Sequence, residues 1–296
     1  MSSVAGAGHH HMISTHAVGS GDDTIHDDVH GDLAAASLDK PALLTFANPM
    51  DAAAFGALAA QLTDRPVVTI DPRGAGRNAT GTAPMTAELH AEDLHRVIEN
   101  LGVGPVDAFG SSGGGVCLLA LLAAHPGDIR RAVVHEPPFV DVLSDGDIVL
   151  AACQDIHDTY ERDGNGRAMA KFIALVMEPQ PLPADYLDRP APDPAQFGMS
   201  ADDDGDRTNP LIRNMPAVNA YVPDYDALLA LGDRVHLAIG AGSGREVAAR
   251  GSHGLAERLG REVDIFPSHH AGFTAAEGPY PGEPEAFAAR LREVLA

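Results

Sequence analysis

Short runs of consecutive apolar, often β-branched, residues punctuate the chain: Leu43–Phe46, Val67–Ile70, Val106–Phe109, Ala132–Val134, Val235–Ile239 and Val263–Phe266. Runs this short with little alternation predict strands covered on both faces, as in a parallel sheet. Thr24–Val29 alternates weakly and predicts a strand of an early hairpin. Between the runs the apolar period lengthens. In Thr86–Leu101 the residues Leu94, Val97, Ile98 and Leu101 share one helical face, with Gly102 as a C-cap. A last helix opening at Pro284 carries Phe287, Leu291 and Leu295 on one face. Strand–helix alternation of this kind predicts an α/β fold, a mostly parallel central sheet flanked by helices, over residues 13–143 and 233–296.

The rhythm breaks over residues 144–232. Helical patterns run through Ile148–Tyr160 and Ala168–Met177, a Pro- and Asp-rich stretch covers Pro179–Pro210, and another helical piece follows, with no strand signal. This predicts a helical cap inserted between the sixth and seventh strands. Within it, Asp202–Asp206 resembles a calcium loop, but its glycine is misplaced and the distant Glu is missing, so a solvated acidic loop is expected.

Composition narrows the class of partner. Twenty basic against 42 acidic residues give a net charge of −22, and the lysines are Lys40 and Lys171 alone. Such a chain repels phosphate backbones and anionic membranes, so neither nucleic acid nor membrane is expected as a partner. GC-rich coding accounts for the excess of Asp over Lys better than halophily does. No apolar run approaches the ~20 residues needed to span a bilayer. Residues 1–12, with His9, His10 and His11, lack the basic and apolar regions of a secretory signal and read as a disordered tail or tag remnant. Cys117 and Cys153 form neither a disulfide framework nor a metal-ligand spacing. A cytoplasmic protein without metal or organic cofactor is expected, and the sequence leaves a homodimer open.

The strongest chemical signal is Phe109-Gly110-Ser111-Ser112-Gly113-Gly114-Gly115, between a strand and a helix. A nucleophile elbow needs small residues two before and two after the serine, because the strand-to-helix turn leaves no room for side chains there. Centred on Ser112 these are Gly110 and Gly114. Centred on Ser111, one of them would be Phe109, which does not fit. A phosphate-binding loop is excluded because no Gly-Lys-Ser/Thr follows. Ser112 is therefore the expected nucleophile.

After the last predicted strand comes Phe266-Pro267-Ser268-His269-His270-Ala271-Gly272-Phe273, a loop that would return over the elbow. With these motifs the chain resembles the α/β-hydrolase superfamily over nearly its whole length. Asp71-Pro72-Arg73-Gly74-Ala75-Gly76-Arg77 is similar to that family's loop after strand four, with Asn78 where Ser is usual, and the cap sits where the family carries one. The resemblance implies that His270 is the general base and His269 a structural neighbour. It also exposes a departure. Where the family usually places its acid after strand seven, the sequence reads Gly240-Ala241-Gly242-Ser243, and a serine cannot stabilise an imidazolium by charge. Some members, haloalkane dehalogenases and certain lactone hydrolases among them, take a Glu from the end of strand six. Glu136 in Val133-Val134-His135-Glu136-Pro137 stands there, 24 residues after Ser112, so it is the expected acid, with Glu246 as the rival. His135 would point to the opposite face and read as structural.

The resemblance further implies an oxyanion hole from Gly113 and from the loop after strand three, Phe46-Ala47-Asn48-Pro49-Met50, where the family's His-Gly is absent. Pro49 has no N–H, so Asn48 is the first candidate and Met50 the second. Met50, Tyr160, Met169, Phe172, Met177 and Tyr221 are the candidate pocket residues. Together these imply a serine hydrolase for carboxylic esters of small or mid-sized apolar molecules. A lactone hydrolase is the alternative, and a non-catalytic ligand-binding protein is the rival from another class, favoured by the missing strand-seven acid. A serine at the elbow argues against dehalogenase and epoxide-hydrolase chemistry, which in this fold use an Asp there.

Overall fold

The computed structural model describes residues 12–78, 85–278 and 280–296; the run His9–His11 lies outside them. Strands β1 (Ile13–Val18) and β2 (Ile25–His30) form an antiparallel hairpin in which Ile13 faces His30 and Val18 faces Ile25. In β2 the residues Ile25, Asp27 and Val29 are buried and their neighbours are half-covered, the period of a strand with one packed face. The hairpin joins β4 (Val67–Ile70) antiparallel. From there the sheet is parallel: β4, β3 (Leu43–Asn48), β5 (Val106–Ser112), β6 (Ile129–His135), β7 (Val235–Gly240) and β8 (Val263–Phe266) lie side by side in that order.

Strands β3 and β4 are nearly continuous apolar runs, and β6 is one over Ala132–Val134, because helices cover both faces. Leu44, Phe46, Ala108 and Val134 pack on one side with α2 (Ala87–Leu101), α3 (Gly113–Ala124) and α8 (Val247–Leu259). Leu43, Ala47, Phe109 and Val133 pack on the other with α1 (Gly56–Gln61) and α9 (Pro284–Leu295). Helix α2 begins where the Thr86 hydroxyl accepts the Leu89 N–H and ends at Gly102 with φ 65°, the left-handed C-cap expected from its glycine.

Between β6 and β7 lie α4 (Gly146–Asp163), α5 (Asn165–Met177), α6 (Pro210–Asn219) and α7 (Tyr225–Ala230). Helices α4 to α6 share an apolar cluster of their own, including Val149, Ile156, Tyr160, Leu175, Ile212 and Met215. The chain then rejoins the sheet's packing: Val218, Tyr221, Leu228 and Leu231 belong to the cluster around α3. The acidic loop is exposed, with Asp203 paired to Arg207 at 2.8 Å. Among the described residues, no helix is long and apolar enough to cross a membrane.

Among the described residues, His90 and His135 are fully buried in this framework. His90 on α2 packs against Phe46, and among the described residues neither of its nitrogens has a hydrogen-bond partner. His135 closes β6 among Phe109, Phe266 and Phe287. Burial pushes both imidazoles down to about 4. In the unfolded chain each takes up a proton as the pH falls below about 6.5, so between that pH and about 4 the unfolded state binds more protons and stability falls. Each histidine accounts for about 3 kcal/mol of this loss at full titration. Urea midpoints measured from pH 7 down to 5 are expected to drop, and His90→Leu is expected to flatten the slope.

Candidate active site

The site is built on the turn from β5 into α3. Ser112 has φ 56° and ψ −132°, a backbone conformation that costs energy for any residue with a side chain. The glycines around it are demanded by contact. A Cβ on Gly114 would lie 2.5 Å from Ala47 Cα and 2.6 Å from the Phe46 carbonyl oxygen, and one on Gly110 would meet the Gly114 oxygen at 2.9 Å. The first turn of α3 therefore rides directly on β3. The two serines of the motif part company here. Ser111 is buried with its hydroxyl 3.3 Å from His135 Nδ1, while Ser112 lines a cavity.

Glu136 follows the end of β6 with φ 45° and is completely buried. One carboxylate oxygen accepts the Gly240 N–H at 2.6 Å, and the other lies 2.6 Å from His270 Nδ1. Burial pushes this carboxyl up, but the hydrogen bond and charge of His270 override it and hold Glu136 well below the ordinary carboxylate range. Ser243, in the usual position of the acid, is buried beside the same carboxylate and contributes in the same direction. With Nδ1 of His270 engaged, its Nε2 is the nitrogen available to the cavity, which His270 lines together with Ser112. His269 has both nitrogens tied to its own loop: Nδ1 accepts from the Ala271 N–H, and Nε2 lies 3.1 Å from the Pro281 oxygen.

Asn48 ends β3 opposite Ser112 in the parallel ladder, and Gly113 opens α3. Both line the cavity. The Asn48 carboxamide points elsewhere: its oxygen accepts from Asn214 Nδ2 at 3.0 Å and its nitrogen lies 3.9 Å from Cys117 Sγ. That leaves the backbone N–H as what Asn48 can offer the site. The loop after β3 is braced from below by Asp71, whose carboxylate accepts from the Ala52 N–H at 2.9 Å and from Arg77 Nε at 2.6 Å.

The cavity measures about 940 Å³, with Ser112, His270 and Glu246 on the sheet side and mostly apolar side chains facing them from the cap. Of the expected pocket residues, Met50 and Phe172 line it. The other four do not. Tyr160 is fully buried in the cap's own cluster, its hydroxyl accepting the Asn209 N–H, and Met169 packs against that cluster. Met177 lies at the end of α5 facing outward, 72 % exposed, and Tyr221 is absorbed into the core around α3. Choosing large side chains by type misled here because packing inside the cap and around α3 takes three of them and leaves Met177 outside. The wall is formed instead by Val149 and Cys153 of α4, Leu175 of α5, and Leu211, Asn214, Met215 and Val218 of α6. The α6 set has the 3.6-residue period of one helical face, a signal obscured by Pro210 and Pro216.

A grouping of metal-ligand type, His95, His125 and Asp128, lies outside the cavity wall. Its two imidazoles stack at 3.8 Å with planes 7° apart. An ion bound to both would lie far out of each ring plane, so the arrangement suits ion pairing with Asp128 and Glu92 better than coordination.

A family model described as the alpha/beta hydrolase fold matches residues 48–187. The chain is 26% identical over 235 residues to YraK of Bacillus subtilis (strain 168), described as an uncharacterized hydrolase, covering 77% of this chain and 78% of that one. A thermophilic esterase from Thermogutta terrifontis superposes with TM-score 0.63 at 19% identity, over 92% of this chain and 93% of its own. An enol-lactonase from Burkholderia xenovorans LB400 gives 0.62 at 17% identity, over 92% and 96%.

The packing of α3 on β3 makes Gly114→Ala expensive. Because the new methyl meets backbone rather than a side chain that can swing away, a loss of about 1–3 kcal/mol is expected by urea denaturation. Gly127→Ala, whose Cβ would meet nothing within 4 Å, is expected to stay within about 0.5 kcal/mol of the parent.

Proposed function

Because the chain belongs to the α/β-hydrolase superfamily, we propose that it is a serine hydrolase that cleaves carboxylic esters through an acyl-enzyme, with Ser112 as nucleophile, His270 as base and Glu136 as acid. The observation that carries this reading is the Glu136–His270 contact of 2.6 Å on the cavity that Ser112 lines from its elbow. His270 Nε2 takes the Ser112 proton as Oγ attacks the carbonyl carbon, and the imidazolium formed is stabilised by a carboxylate that stays ionised throughout. The oxyanion is held by the Gly113 N–H, at the positive end of α3, and by the Asn48 N–H, with Met50 as the alternative second donor. Collapse of the intermediate returns the proton to the leaving alcohol. Water then enters, gives its proton to His270 and attacks the acyl carbon, releasing the acid and regenerating Ser112.

The apolar wall of the cap suits the hydrocarbon part of a small or mid-sized ester. Ring opening of a lactone needs the same steps, and the structural likeness to an enol-lactonase motivates testing both. The non-catalytic reading drew its support from the missing acid after β7, and Glu136 supplies that acid by another route.

A fluorophosphonate probe is expected to label Ser112, read by mass spectrometry of the modified peptide, and Ser112→Ala is expected to abolish labelling. His270→Ala and Glu136→Gln are expected to lower kcat on a chromogenic ester by roughly 10²–10⁴-fold. An unlabelled, inactive parent would support a binding protein, and full activity in Glu136→Gln would remove that residue from the triad.

A further inference from the structure

The cavity contains an ionisable group that this chemistry leaves idle. Glu246 stands at the start of α8 and lines the cavity with His269 and His270. It is half-buried, and burial raises its carboxyl above the ordinary range; His270 draws it back and the charge of Glu136 pushes it up again. Of the nearby cations, Arg250, one turn further along α8, binds Asp145 and Gln180, and Arg245, the residue before Glu246, is exposed and does not line the cavity. No Lys or Arg is found among the described residues lining the cavity, whereas a second carboxylate, Glu277, stands exposed on its wall. Since the Glu136 carboxylate is spent on His270 and Gly240, the uncompensated charge facing a ligand is negative.

A half-buried carboxylate has lost part of its hydration, and a cation brought beside it in a partly desolvated cavity restores that loss more effectively than water at an open surface would. An anion brought there meets repulsion instead, and a protein of net charge −22 deepens the bias over long range. Across the cavity the wall is apolar, with Val149, Phe172, Leu175, Leu211 and Met215. The two sides together fit an amphipathic molecule.

We propose that Glu246 determines specificity by receiving a positively charged substituent of the substrate, so that the preferred substrates are esters combining an apolar portion with an ammonium-type group. This rests on the serine-hydrolase reading and narrows its substrate class; carboxylate-bearing esters are the ones it rejects.

The test uses nitrophenyl esters of a trimethylammonio-alkanoic acid, of its neutral tert-butyl isostere and of a dicarboxylic acid monoester, each in two chain lengths. In the parent enzyme kcat/KM is expected to favour the cationic ester over its isostere by about tenfold at one of the lengths, equivalent to about 1.4 kcal/mol, with the anionic ester poorest. Glu246→Gln is expected to bring the cationic-to-neutral ratio close to one and to raise the anionic-to-neutral ratio, mainly through KM. Glu246→Asp, which keeps the charge, is expected to keep the order. Turnover of the neutral ester and labelling of Ser112 without any charge preference would overturn the inference and leave the serine-hydrolase reading standing. So would a Glu246→Gln variant that slows all three esters alike, which would assign the carboxylate to His270 instead. Failure of every ester together with an unlabelled Ser112 would overturn both.

Discussion

The first turn of α3 lies against β3 with no side chain between them, and the placement of Ser112 and Asn48 follows from that approach. It is available because Gly110 and Gly114 carry no Cβ, and it forces Ser112 into a left-handed backbone conformation at the end of β5. The serine thereby leaves the plane of the sheet and faces the cavity, while Ser111, one residue earlier, is turned into the core toward His135. The same approach sets Asn48 across from Ser112 and aligns the amino end of a helix buried through almost its whole length with the place where negative charge would develop. Strain at one residue is sustained by burial around it, since relaxing Ser112 would separate α3 from the sheet.

A second constraint is the full burial of Glu136. A carboxylate without solvent must have its lone pairs answered, and here the Gly240 N–H at the end of β7 and His270 in the loop after β8 answer them. The result is a carboxylate that holds the histidine in one orientation and does not titrate near neutral pH. Ser243, at the position after β7 from which a carboxylate could have come, is a small hydroxyl packed beside the acid that reaches His270 from β6. Asp71 plays a related part on the other side of the site, tying the loop after β3 to the loop after β4.

The cap contributes in a different way. Its three main helices have their own apolar cluster, so they turn only a strip of side chains toward the sheet. Asn214 within that strip reaches Asn48, linking the cap to the strand end that lies beside Ser112. The cavity is thus apolar toward the cap and ionisable toward the sheet, and that asymmetry gives Glu246 a direction in which to act.

Local rules made much of this legible in the linear order of residues. Continuous apolar runs marked buried strands because helices on both faces leave no polar side. Thr86 and Gly102 bounded α2 because helix ends need those groups, and the spacing of Gly110 and Gly114 singled out Ser112 because the turn excludes a Cβ. The carboxylate beside His270 was harder to place: Glu136 and Glu246 both stand near the carboxyl ends of strands, and only the folded chain decides that the first meets His270 while the second is left facing the cavity. The cavity wall was least legible. Tyr160 and Tyr221 were consumed by interior packing and Met177 was left outside, while Asn214, Cys153 and Val149 were brought to the wall. Which face of a cap helix meets the sheet depends on contacts between segments far apart in sequence. The sequence by itself therefore determined the elements, the parallel α/β arrangement and the sharp turn at Ser112, all governed by the space around a few consecutive residues; the tertiary structure decided the partner of His270 and the lining of the cavity, which depend on the relative positions of distant elements.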